Sequence, residues 1–146
     1  MALLQMKVKA VTVDQGGNFL VLLMDEEERK VLPISIGPVE AQSIALALQG
    51  TAPPRPLTHD LLKTILESLR GNLQKIVITD IIDGTFYAEI YLEQDGKTMV
   101  LDSRPSDAIA LALRCEISIY MVTKMVEFTY NYEDIIAGDD TRGETH

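Results

Sequence analysis

The chain has 146 residues, 47% of them hydrophobic, which is enough for one domain that buries roughly two-thirds of its unfolded surface. No apolar run approaches the ~18 residues of a membrane span, and one cysteine with two histidines excludes an intrachain disulfide and the usual structural zinc sites. The net charge of -9 disfavours long-range attraction of a polyanion such as a nucleic acid.

The two ends of the chain indicate its compartment and its domain limits. The opening MALLQMKVK is too short and too soon charged for a signal peptide, so we expect a cytoplasmic protein that does not enter a membrane. Residues 126–146 contain six acidic residues and one arginine, and AGDDTRGETH has the composition of a solvated tail. We expect one domain over residues 1–125 and an acidic, partly disordered tail over residues 126–146.

The first half of the chain predicts three strands and a helix. Runs rich in β-branched and aliphatic residues, separated by Gly-Gly and by charged turns, predict strands over 7–14, 19–24 and 30–36. Apolar residues at helical spacing then predict a helix over 39–48, which Gly50 ends.

A second helix is predicted over residues 57–69, between the two halves. Thr58 fits its N-cap position, and Gly71 follows its end. Its apolar residues form one stripe that we expect to be buried, namely Leu61, Leu62, Ile65, Leu66 and Leu69.

The second half repeats the plan of the first. Strands are predicted over 74–82, 85–93 and 97–102, joined by two Asp-Gly pairs, which are the strongest short hairpin signal. Pro105 then suits the first turn of another helix.

The two halves match as a β-β-β-α unit used twice, with the helix over 57–69 between them. Both unit helices contain IALAL, at residues 44–48 and 109–113, although five shared Ala, Ile and Leu residues also arise by chance. The expected fold class is α+β, a largely antiparallel sheet with helices packed on it. Both IALAL helices are apolar on nearly all sides, so either the sheet and the central helix bury them or a second subunit does, and we expect a homodimer.

The segment LDSRPSDAIALALR, residues 101–114, has more polar residues at a helix start than capping requires. A helix N-terminus carries unpaired amides and partial positive charge, and Arg104 beside it can pair with a phosphate in bidentate fashion. With Ser106 and Asp107 in the same turn, the segment can bind an anion. Alternatively, Ser106 and Asp107 cap the helix and Arg104 pairs with a neighbouring aspartate.

A second polar cluster lies in PPRPLTHDLL, residues 53–62. Asp60 either complements the dipole of the central helix or takes part in chemistry. His59 is the only histidine outside the tail and the natural candidate for proton transfer near neutral pH. Arg55, held between two prolines, either meets a phosphate or stays a solvated loop charge.

Other motifs narrow the choice of chemistry. Glu40, the counterpart of Asp107 in the first half, is either a dipole-complementing acid or a metal-facing carboxylate. GxSxG, a glycine-rich phosphate loop and HExxH are all absent from the sequence, which excludes the common hydrolase and nucleotide-binding templates.

Four segments carry a family resemblance: LPISIGPVEAQSIALAL, PPRPLTHDLL, DGTFYAEI and LDSRPSDAIALALR. In this order and spacing, from about residue 7 to about residue 122, the chain resembles the bifunctional nuclease (BFN) domain family of bacteria and plants. The resemblance implies an α+β fold, a homodimer, and degradation of DNA and RNA with little sequence preference. The polar residues it carries over by motif are Glu40, Arg55, His59, Asp60, Arg104, Ser106 and Asp107.

Phosphodiester hydrolysis assigns expected roles to these residues. It needs a nucleophile, stabilisation of charge on the nonbridging oxygens, and a proton or a metal for the leaving oxygen. We expect a metal-assisted site that uses Mg²⁺ or Mn²⁺, no organic cofactor, and single- or double-stranded nucleic acid as substrate. The expected catalytic residues are His59, Asp60 and Asp107, the substrate-binding residues are Arg55, Arg104 and Ser106, and the metal ligands are Asp60, Asp107 and Glu40.

The alternative is a non-enzymatic dimeric module that binds an anion or a partner protein. The acidic charge favours it, and so does the lack of an aromatic and basic groove for nucleic acid in the sequence. The two hypotheses differ in geometry, because a nuclease needs His59, Arg104 and Asp107 in one cleft and a structural role lets them lie apart.

Overall fold

One sheet of eight strands organises the chain in the computed structural model, which describes residues 2–135. The strand order is β6-β5-β4-β7-β1-β2-β3-β8, and all neighbours run antiparallel except β4 and β7, which are parallel. The strands are β1 Leu3–Val13, β2 Phe19–Asp25, β3 Lys30–Ile36, β4 Asn72–Ile82, β5 Thr85–Gln94, β6 Lys97–Ser103, β7 Ser118–Val122 and β8 Tyr130–Asn131.

The longer α-helices among residues 2–135 are α1 Pro38–Gln49, α2 Thr58–Ser68 and α3 Pro105–Cys115. α1 and α3 pack on the sheet, and α2 packs on α3. Proline occupies the start of α1 and of α3, where its missing N–H costs no hydrogen bond. Gly50 ends α1 in the left-handed region, with φ of 66°. No helix described over residues 2–135 is long and apolar enough to cross a membrane.

Buried and exposed side chains alternate along the strands, and this alternation decides which face of the sheet the helices cover. In β5, Ala88, Ile90 and Leu92 are buried while the residues between them are more exposed. α3 packs on β4 and β5 and also contacts both other helices. The predicted α+β class is confirmed, and each half places three antiparallel strands before a helix.

The two IALAL segments are buried to different degrees. In α3 the sheet and the other helices bury the first four residues, Ile109–Ala112, so α3 needs no second subunit to cover it. In α1 only Ile44 of the segment is buried, and Leu48 is exposed.

The apolar stripe of α2 is not buried in the protomer, contrary to expectation. α2 meets α3 through the side that carries His59 and Leu66, and His59 is its only buried residue. The rest of the stripe therefore points outward, with exposed fractions of 38–62% at Leu61, Leu62, Ile65 and Leu69.

The sheet also contains strands that the sequence patterns did not predict. β7 lies at its centre and joins the two halves, because β4 pairs on one side of it and β1 on the other. The expected start of the tail at residue 126 falls inside a 3-10 helix over Thr123–Phe128, and β8 then pairs with β3. Residues 136–146 lie outside the described residues, so disorder there stays a prediction, as does the cytoplasmic location.

We expect Ile109→Ala to cost about 2–5 kcal/mol of unfolding free energy, because Ile109 is a fully buried residue of α3 and its loss leaves a cavity. Ile82→Ala is the matched control, since Ile82 is half exposed at the end of β4 and should cost less than about 1 kcal/mol. Urea unfolding of both variants measures the difference. Equal costs would show that α3 is not the centre of the core.

Candidate functional site

The starts of the three helices meet at a cleft of about 460 Å³. α1 and α3 each follow the third strand of their unit, so their first turns reach the same place, and α2 brings its own first turn against them. The polar residues that line the cleft are Glu40, Gln42, Ser43, Thr58, His59, Arg104 and Asp107.

His59 is hydrogen bonded at both ring nitrogens. Its Nε2 lies 2.9 Å from Oδ1 of Asp107 in α3, and its Nδ1 lies 2.7 Å from Oγ of Ser43 in α1. The side chain is only 9% exposed, so water does not compete for these bonds. The ring therefore joins all three helices, and the convergence of His59, Arg104 and Asp107 that a nuclease requires is present.

Arg104 bridges two carboxylates at the mouth of the cleft. Its Nε and Nη2 donate to the two oxygens of Asp107 at 2.8 and 3.1 Å, and its Nη1 donates to Oε1 of Glu40 at 3.0 Å. Gly37 leaves room for this arrangement, because a side chain there would collide with the Glu40 carboxylate. Arg104 itself remains 63% exposed, so it can meet a ligand from solvent.

These contacts shift the pKa values of the three residues. Burial alone would raise the pKa of Asp107, but hydrogen bonds from Arg104 and His59 outweigh it and leave the pKa below its ordinary value. The pKa of Glu40 is lowered by its own backbone N–H and then by Arg104. The pKa of Arg104 is raised by its bonds to Asp107 and Glu40. Both acids are thus ionised near neutral pH.

Asp60 lies outside this cluster, although it follows His59 in sequence. Its carboxylate accepts hydrogen bonds from the backbone N–H of Leu57 and from Nε of Arg114, at 2.9 and 2.8 Å. It lines a different hollow of about 390 Å³ together with Arg114. The N-cap residue of α2 is Leu57, so the expectation that Thr58 is the N-cap is wrong by one residue. The carboxylate of Asp60 accepts the hydrogen bond from the Leu57 amide at this helix start.

Two expected substrate-binding residues are also separate from the cleft. Arg55 is exposed and forms none of the ion pairs or side-chain hydrogen bonds found among residues 2–135, and the cleft lining does not include it. Ser106 is buried and faces a neighbouring hollow of about 260 Å³ that Arg104 also borders. Only Arg104, of the three, lines the cleft with His59.

The expected metal ligands do not form one set. Over residues 2–135 no group of three or more His, Cys, Asp or Glu side chains is placed to hold a metal ion. Asp60 faces Arg114, while Asp107 and Glu40 both face Arg104. Of the three expected ligands only Asp107 and Glu40 line the cleft, and Arg104 contacts both, so we assign no chemical step to a metal.

Sequence reasoning missed two residues that shape the site. Ser43 interrupts the apolar face of α1 just before IALAL, and that interruption was the available signal. Arg114 ends the corresponding run in α3, where a cation in an apolar helix suggests a buried partner. Its side chain is 8% exposed, and besides Asp60 it donates to the backbone carbonyls of Ser43 and Ala110.

Comparison with known proteins identifies the family. The model of the bifunctional nuclease domain matches residues 21–131. The chain belongs to the bifunctional nuclease domain family. An uncharacterized protein of Mycobacterium tuberculosis is 42% identical over 118 residues, which cover 80% of this chain and 70% of that protein.

Plant members of the bifunctional nuclease domain family are more distant. Bifunctional nuclease 1 of Oryza sativa subsp. japonica is 30% identical over 103 residues, 68% of this chain and 31% of that protein. Bifunctional nuclease 2 of Arabidopsis thaliana is 26% identical over 135 residues, 85% of this chain and 41% of that protein. The chain thus spans well under half the length of these plant relatives, and the family match includes every residue of the cleft and β8.

We expect Asp60→Asn to destabilise the protein by about 1–2 kcal/mol at pH 7, because it weakens a charged hydrogen bond to the buried Arg114. The pKa of Asp60 is lowered from 3.8 by the Leu57 amide and then by Arg114. A depressed pKa gives stability that is present above about pH 4 and is lost as pH falls through the folded-state pKa. The difference between wild type and variant should therefore shrink in acid.

Denaturant unfolding between pH 7 and pH 2.5 measures this difference. The matched control is Asp83→Asn in an exposed hairpin turn, where asparagine also tolerates the positive φ of 52° and should cost little. A constant difference across the pH range would show that the ion pair with Arg114 contributes nothing.

Proposed function

We propose that the cleft hydrolyses phosphodiester bonds of DNA and RNA with low sequence specificity. The observation that carries this proposal is that His59, Asp107 and Arg104 lie together at one opening. The names of the plant relatives support the same reaction class. In this proposal the substrate is single- or double-stranded nucleic acid, and the protein acts on its backbone and not on its bases.

Arg104 binds the phosphate in this proposal. Its guanidinium group is the exposed cation of the cleft, and planar N–H donors match two nonbridging oxygens of a phosphodiester. Its ion pair with Glu40 is partly exposed, and such pairs contribute only about 0–1 kcal/mol. A phosphate can therefore replace one of these carboxylates at small cost.

Asp107 and His59 act as a pair that accepts a proton from the attacking water. Asp107 is the more exposed member, at 32%, and His59 stands behind it with Nε2–H directed to Oδ1. When the phosphate draws Arg104 away, Asp107 loses the hydrogen bonds that lower its pKa and becomes a stronger base. The water oxygen then bonds to phosphorus, its proton passes to Asp107, and the ester oxygen departs and is protonated by solvent.

Metal assistance stays a prediction that activity can test. Mg²⁺ or Mn²⁺ would neutralise charge on the phosphate. Asp107 and Glu40 are the carboxylates that line the cleft, whereas Asp60 points to Arg114.

The non-enzymatic module remains the second candidate because of one observation. The carboxylates, the arginine and the histidine of the cleft are already paired with one another, as in a network that only stabilises helix ends. Such a module would bind an anion or a partner protein through Arg104 without cleaving it.

We also propose that the protein forms a homodimer through α2. The outward leucines and isoleucine of this helix lie at positions 61, 62, 65 and 69, which make one continuous stripe at helical spacing. A second copy offers an identical stripe, and an isologous contact of α2 with α2 covers both at once. α3, in contrast, is already buried within the protomer.

For nuclease activity we expect Asp107→Asn and Arg104→Ala to lower the cleavage rate of a labelled single-stranded oligonucleotide by about 10²-fold or more, because Asp107 accepts the proton of the attacking water and Arg104 binds the phosphate. Lys124→Ala is the control and should keep the wild-type rate, since Lys124 pairs with Asp80 outside the cleft. Assays with Mg²⁺, with Mn²⁺ and with EDTA test metal dependence. Equal rates in all variants would place the activity elsewhere.

If the wild type cleaves nothing under any of these conditions, the module is the better description. Oligonucleotide and phosphate binding by wild type and by Arg104→Ala would then measure whether the cleft holds an anion.

For the dimer we expect light scattering to give twice the protomer mass for wild type at micromolar concentration and the protomer mass for Ile65→Glu. A charge at the centre of the stripe would be buried without a partner, which opposes association. Lys63→Glu places the same side chain on nearly the opposite side of α2 from Ile65 and should remain dimeric. A monomeric wild type would contradict this proposal.

A further inference from the structure

Ser43 is buried in the middle of α1, and its hydroxyl group contacts His59. We propose that Ser43 is a positioning residue, which holds the imidazole in the orientation that presents Nε2–H to Asp107 and so keeps the neutral ring in a single tautomer. Its catalytic consequence rests on the proposed function, whereas its effect on the ring does not.

The tautomer follows from the partner at Nε2. Asp107 is ionised near neutral pH, so its carboxylate can only accept hydrogen bonds. The 2.9 Å contact between Oδ1 and Nε2 therefore requires a proton on Nε2 of His59. In the neutral ring the proton is then absent from Nδ1, and Nδ1 must accept a hydrogen bond from the Ser43 hydroxyl group at 2.7 Å.

Ser43 is held in place from its other side by Arg114. Nη2 of Arg114 donates to the Ser43 carbonyl oxygen at 3.2 Å, while Nε of the same residue pairs with Asp60. The buried arginine thus fixes the backbone of α1 at the residue whose side chain orients His59. This gives Asp60 an indirect part in the site, through Arg114 and Ser43.

The burial of Ser43 argues against a role as nucleophile. The residue is 7% exposed and its hydroxyl group is directed at the ring, whereas Asp107 and Arg104 line the exposed mouth of the cleft. Ser43 therefore acts through His59 and does not meet the phosphate.

The ring can be observed directly, because His59 and His146 are the only histidines in the chain. Long-range ¹H–¹⁵N NMR spectra of the full chain distinguish the two tautomers, and His146→Gln assigns the signals. At a pH where His59 is neutral, we expect a single tautomer with the proton on Nε2 in wild type and in Ser43→Thr. In Ser43→Ala and Ser43→Cys, Nδ1 is buried without its strong hydroxyl donor. We therefore expect the ring to rotate, to lose the contact with Asp107 that fixes the tautomer, and to give a mixture of tautomers.

Ser118→Ala removes a serine hydroxyl group that contacts Gln5 outside the cleft lining, and should leave the His59 signals unchanged. A single Nε2–H tautomer in Ser43→Ala, or in Ser43→Cys should the alanine variant not fold, would overturn the proposal. Loss of that tautomer in Ser43→Thr would overturn it as well.

Kinetics then test the consequence for catalysis. We expect Ser43→Ala to lower kcat for the oligonucleotide by about tenfold or more with KM within about twofold, because Arg104 still binds the phosphate, and Ser43→Thr to restore kcat. An unchanged kcat in Ser43→Ala would overturn the catalytic part. If wild type has no nuclease activity, the proposed function fails while the NMR result still decides whether Ser43 sets the tautomer of His59.

Discussion

Three helix N-termini point at one place, and the partial positive charge of each must be compensated there. Each helix carries one acid in its first turn: Glu40 in α1, Asp60 in α2 and Asp107 in α3. Each acid also pairs with a cationic or titratable side chain, namely Arg104, Arg114 and Arg104 with His59 respectively. The same ionic contacts that allow the helices to meet therefore build the cleft.

Because the first-turn acids pair with different cationic or titratable side chains, the expected catalytic residues divide into two groups. Asp60 is paired with Arg114, which is nearly inaccessible and whose bonds to backbone carbonyls fix the angle between helices. Arg104 and Asp107 lie at the surface, where ion pairs are weak and exchange readily with a ligand. His59 and Asp60 are neighbours in sequence but lie about 100° apart around α2, so they meet different partners and belong to different groups.

Local signals in the sequence predicted the elements that depend on local chemistry. The Asp-Gly pairs at 83–84 and 95–96 do adopt positive φ in the hairpin turns, and the strands beside them begin and end within two residues of expectation. The placement of β7 depends on pairing with β1 and β4, which are distant in sequence, so its short run after α3 gave no sign of a central strand. Helical spacing correctly grouped the stripe of α2, but spacing alone does not say whether a neighbour covers it.

The contacts of Arg104 with Glu40 and Asp107 also constrain how the cleft can bind a substrate. The carboxylates of Glu40 and Asp107 both accept hydrogen bonds from Arg104, so an incoming phosphate has to compete with them for the guanidinium group. The net charge of the chain adds no long-range attraction to help it. A phosphodiester that binds there must therefore gain its affinity from close contacts to phosphate oxygens, which are the same for every base, and this is why the proposed function carries low sequence specificity.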